Sequence, residues 1–173
     1  MLAGIFTALS VAMGYLFLLI PNVELITATV FIAGTVVGPL WGLAVGALSE
    51  LVYSSFNPYG AAMPPLLVAQ VLCFALIGLV GGLFGRLTFR SLFSRLITLG
   101  ACGLLLTLLF DVLTTLSFTL FVAGTNWSKI LTTFSVGISF YATHAFINTL
   151  IFVTIVPIIL KTIDRYLNPD SHD

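Results

Sequence analysis

Residues 129–160 read KILTTFSVGISFYATHAFINTLIFVTIVPIIL, an apolar run longer than the roughly 20 residues a helix needs to cross a bilayer. Its middle carries Tyr141, His144 and Asn148. With Gly137 these fall at i, i+4, i+7 and i+11, one side of a helix. An ionisable group at bilayer depth costs several kcal/mol unless it meets a partner, a cavity or a ligand. This helix therefore turns a polar side toward protein, and the rest of the chain must supply what it faces.

The remainder has the same character. Of 173 residues, 60% are hydrophobic and 7% charged, and the mean hydropathy of +1.20 excludes a soluble domain. Pro21-Asn22, Gly38-Pro39, Asn57-Pro58-Tyr59-Gly60 and Pro64-Pro65 punctuate the apolar runs. The reading is an all-α membrane protein, a single integral membrane domain of six transmembrane helices. The spans are expected over residues 2–20, 25–37, 40–56, 64–85, 94–123 and 129–160, with 161–173 as a cytoplasmic tail. The second is short: its thirteen or so residues cover about 20 Å, so it is either tilted with buried flanks or partly non-helical and shielded by protein. Pro157 is expected to kink or fray the end of the sixth. The first run lacks a basic leader and reads as a retained span, not a cleaved signal.

Arg86, Arg90 and Arg95 lie between the fourth and fifth spans, and Lys161 and Arg165 follow the sixth; only Lys129 falls on the other side. The excess of positive charge places both termini in the cytoplasm. A formal net charge of zero argues against nucleic acid as a partner. No GxxxxGK[ST] phosphate loop occurs, so ATP-driven work would need another subunit. Cys73 and Cys102 occupy separate apolar runs and read as packing residues. No HExxH or comparable spacing appears, so neither a metal nor a cofactor nor enzymatic chemistry is expected.

The remaining polar residues fall on defined helix faces. Glu50, Tyr53, Ser54 and Asn57 recur at i, i+3, i+4 and i+7, a stripe rising toward the loop that carries Tyr59. Asp111 shares a face with Thr114, Thr115 and Phe118, and Gln70 lies on the fourth span. Four helices thus each present hydrogen-bonding groups on one side, and the simplest arrangement points them into a cavity open to the outside. Each residue also has a plainer reading. Asp111 and His144 can pair with each other, Gln70 can serve as an interhelical amide, Glu50 can snorkel, and Asn57 can cap the turn before Pro58. A cavity built from these groups would suit a small ligand, with carboxylates for cations or hydroxyls and with Tyr and Phe rings for a flat ring.

Small residues repeat every four positions on several spans: Gly4, Ala8 and Ala12 on the first, Gly38, Gly42 and Gly46 on the third, Gly78 and Gly82 on the fourth. In lipid, such stripes let helix backbones approach closely where apolar bulk gives no driving force. On the third and fourth spans they read as internal packing. The first-span stripe can equally be a docking face for another membrane protein.

Six spans in this length, the Ala8-x-x-x-Ala12 pair, the 21–24 loop, a short second span and Gly38-Pro39-x-x-Gly42-x-x-x-Gly46 together resemble the substrate-binding S components of energy-coupling factor (ECF) vitamin transporters. The resemblance covers about residues 1–165 and lies in architecture more than in signature motifs. It implies a prokaryotic cytoplasmic-membrane protein that captures a vitamin or related micronutrient on the outer side. It also implies docking, through Gly4, Ala8 and Ala12, on a transmembrane coupling protein driven by two ATPase subunits. Glu50, Asn57, Tyr59, Gln70, Asp111, Tyr141, His144 and Asn148 would then line the ligand pocket. The rival reading is a membrane scaffold of the cell-shape MreD kind, whose buried polar groups would all pair with one another.

Overall fold

In a computed structural model, residues 1–167 of the chain are described. They form six helices: α1 (Leu2–Leu16), α2 (Ile26–Val37), α3 (Pro39–Ser55), α4 (Pro64–Phe84), α5 (Leu92–Ala123) and α6 (Trp127–Leu167). No strand occurs among the described residues. Three segments are long and apolar enough to cross a membrane: Pro64–Phe84, Leu92–Val122 and Trp127–Tyr166. Helices α1 and α2 are shorter but also apolar.

The short α2 is a regular helix and the centre of the bundle. Ile26, Thr27, Ala28, Val30, Phe31, Ile32, Ala33 and Gly34 are all buried, so protein surrounds it on nearly every side. A helix so enclosed keeps its backbone groups satisfied and need not match the bilayer thickness. Phe31 is its anchor, with the rings of Phe152 and Phe84 centred 5.0 and 5.4 Å away. Gly38 then turns the chain at φ +88°, a backbone conformation glycine adopts without strain, and Pro39 starts α3.

Helices α3 and α4 meet backbone to backbone. A Cβ placed on Gly42 would collide with the carbonyl of Gly78, and one on Gly78 with the carbonyl of Gly42. Thr35 Oγ1 adds a bond from α2 to the Gly81 carbonyl at 3.1 Å. The glycine stripes on α3 and α4 are thus internal packing. On α5, Gly100 and Gly103 similarly let α6 approach with Val153 and Phe152.

Several helix ends differ from the sequence reading. Helix α1 stops at Leu16, and residues 17–25 form successive turns that include Asn22 at φ +60°. Helix α5 begins at Leu92, because the Ser91 hydroxyl accepts from the Ser94 amide at 3.2 Å and caps it. Helix α6 continues through Pro157 to Leu167, so the helix does not end where the proline falls. At 41 residues it is about 60 Å long. Residues 168–173 of the expected tail lie outside the described residues.

Candidate ligand-binding site

The turns after α1 fold back over the bundle and border a partly open cavity of about 230 Å³. Phe17, Pro21, Val23 and Glu24 of this segment form one wall; Glu50 and Tyr53 of α3, Gln70 and Phe74 of α4, Phe110 of α5 and His144 of α6 form the others. Tyr53 is set in place by α1. Its ring lies 5.0 Å from that of Tyr15, whose hydroxyl donates to the Tyr53 carbonyl at 3.2 Å. Gly14 leaves room for that ring, which a Cβ would strike at 2.8 Å.

Glu50 is the most enclosed acid, 2% exposed. The Ser54 hydroxyl, one turn on, donates to its Oε1 at 2.6 Å, while Oε2 has no partner within the protein. That burial rules out snorkelling. Gln70 also lines the cavity and its Oε1 is unpartnered. Gln70 borders two further clefts as well, one under the 57–63 connection and one between α4, α5 and α6.

Asp111 and His144 bond each other. The Nδ1 of His144 donates to Asp111 Oδ1 at 2.8 Å, tying α5 to α6. The imidazole still reaches the cavity, with Nε2 3.7 Å from Glu24 Oε1. Asp111 stands behind it, its Oδ2 without a partner. Pairing and cavity lining therefore coexist. Asp111→Asn should retain the geometry, because an amide oxygen still accepts from Nδ1–H, yet lose the charge-assisted part of the bond, about 1–2 kcal/mol. Thermal unfolding in detergent measures this, and an unchanged midpoint would contradict a structural share for the pair.

The other expected site residues lie apart from the cavity. Asn148, 1% exposed, donates through Nδ2 to Glu24 Oε1 at 3.1 Å and stands behind the wall. The Tyr141 hydroxyl bonds Thr115 Oγ1 at 2.8 Å in the cleft between α4, α5 and α6. Asn57 caps its turn, its Oδ1 accepting from the Tyr59 amide at 3.0 Å, and lines the cleft under the 57–63 connection. Tyr59 is 73% exposed and lines neither the cavity nor these clefts. Gly4, Ala8 and Ala12 form an exposed stripe on α1, opposite the buried Ser10 and Gly14.

Glu24 is the residue that helix periodicity could not find, because it lies outside the helices. Its Oε1 takes the Asn148 bond, and its Oε2 accepts from the Thr27 amide at 2.9 Å, so the carboxylate caps α2 as it reaches into the bundle. The signal that could have exposed it is compositional. A carboxylate in so apolar a chain, beside a proline turn and just before a largely buried helix, needs partners.

The family model for the ECF transporter substrate-specific component matches residues 1–160. The chain belongs to this family. No curated protein and no solved structure matches it significantly. As a substrate-specific component the chain is a subunit of a membrane transporter, and its cavity lies where four polar-faced helices and one folded-back connection converge.

Proposed function

We propose that this substrate-specific component captures a vitamin-like micronutrient in the cavity beneath residues 17–25 and delivers it to a separate energy-coupling module. In this reading the chain crosses a prokaryotic cytoplasmic membrane six times with both termini inside, as the arginines of the 85–91 connection and the end of α6 favour. The connections 17–25 and 57–63 then face outward, where ligand arrives. Glu50, Gln70 and His144 contact the ligand. Asp111 and Asn148 position His144 and Glu24, and Tyr141, Asn57 and Tyr59 stand away from the ligand. Gly4, Ala8 and Ala12 form the face that docks on a transmembrane coupling protein carrying two ATPase subunits.

The observation that carries the reading is the state of Glu50: a deeply buried carboxylate, lining a void, with one oxygen unpartnered. Native proteins pair such groups, so a scaffold would have no use for this arrangement, while a receptor keeps the pairing for its ligand. Mass spectrometry of small molecules released from the purified protein tests it. A stoichiometric micronutrient-sized compound is expected. A protein that never retains one, from cells grown in rich medium, would favour the scaffold.

A further inference from the structure

Resting on the capture reading above, we infer that the cavity selects a compact cationic ring compound, an amidine or an amino-substituted heteroaromatic, and rejects carboxylates of the same shape. Size sets the first limit. A void of about 230 Å³ lies below the roughly 300–1,000 Å³ of sites for drug-sized molecules, which suits a compact ligand of about one substituted ring.

Polarity sets the second limit. The two unpartnered buried atoms among the lining side chains, Glu50 Oε2 and Gln70 Oε1, are both acceptors. Gln70 can turn its amide either way, so the sign of the site rests with Glu50, a carboxylate that only accepts when ionised. Glu24 lies in the wall nearby, and Asp111 stands behind His144. No lysine or arginine among the described residues lines the cavity, and its one ionisable base, His144, is already engaged by Asp111. An anionic ligand would meet two carboxyl groups, Glu50 and Glu24, and no lysine or arginine. A cation with N–H groups would supply the kind of donor that these acceptors lack.

The walls agree with this assignment. Tyr53, Phe74 and Phe110 present aromatic surface on three helices, with Phe74 and Phe110 held edge to face at 5.6 Å. Aromatic faces attract flat cationic rings.

The test uses three nearly isosteric compounds, benzamidine, benzamide and benzoate, on ligand-free full-length protein in detergent, read by equilibrium dialysis and thermal shift. Benzamidine should bind at least about ten-fold tighter than benzamide, the margin of a charge-assisted bond over a neutral one, and benzoate should not bind. In Glu50→Gln the advantage of benzamidine should vanish, leaving it within about two-fold of benzamide. The ordering on the unaltered protein is decisive even where the variant folds poorly. Benzoate binding as well as benzamidine, or a benzamidine preference that survives in Glu50→Gln, would overturn the assignment. If none of the three binds and the molecule released on purification is an acid, the ligand class is wrong while capture stands. If none binds and nothing is retained, the capture reading falls with it.

Discussion

Glu24→Ala should release the ligand about 100-fold faster than the unaltered protein. The carboxylate joins three parts of the site: the amide of Thr27 at 2.9 Å, the side-chain amide of Asn148 at 3.1 Å, and His144 Nε2 at 3.7 Å. Truncation leaves Asn148 Nδ2 buried without an acceptor and frees residues 17–25 from α6. Removing one member of a buried, hydrogen-bonded charged pair costs about 2–5 kcal/mol, expressed mainly in the off-rate. At about 1.4 kcal/mol per ten-fold, the lower part of that range gives the stated factor. Glu24→Gln keeps one acceptor for the Thr27 amide and turns a donor toward Asn148, whose unpartnered Oδ1 accepts it once that amide flips, so it should lose far less. The check is dissociation of the retained ligand, chased with an excess of the same compound. Equal retention by Glu24→Ala would mean that the folded-back segment does not close the cavity.

Ala12→Leu, and likewise Ala8→Leu, should reduce cellular uptake to background while leaving ligand affinity within about two-fold of normal. The stripe of Gly4, Ala8 and Ala12 is exposed and touches nothing in the bundle that ligand binding needs; a Cβ on Gly4 would meet no atom within 4 Å. Close helix contact in lipid depends on small side chains, since the surrounding chains are as apolar as leucine. A leucine placed in such a contact separates the backbones, and overpacking a fitted surface costs about 1–3 kcal/mol per site. Uptake by cells and ligand binding by the purified protein separate the two effects. Normal uptake in both variants would remove α1 as the docking face, and lost binding would place the stripe in the ligand site instead.

Several features of this molecule were open to inspection in the chain alone. Gly42 and Gly78 lie on four-residue stripes, and those stripes proved to be where α3 and α4 touch, because only the absence of a side chain permits that approach. The shared face of Tyr141, His144 and Asn148 was set by helical periodicity, and all three do turn toward other protein groups. The ambiguity over Asp111 and His144 was real, since an acid and an imidazole on neighbouring helices satisfy both the paired and the site-lining reading. Three-dimensional packing resolves it by letting one ring nitrogen bond Asp111 while the other faces Glu24.

Sequence by itself determined an all-helical membrane protein with polar faces turned inward, because the cost of burying charge in lipid acts on each segment separately and leaves its trace in spacing. Only the tertiary structure decided that residues 17–25 fold back, that Glu24 reaches Asn148, and that Glu50 is left with an unpartnered oxygen beside a void. Those facts depend on contacts between distant parts of the chain, 124 positions apart for Glu24 and Asn148, which no local period encodes. Loop direction is set by what the loop can bond to, and here its partner lies on the last helix.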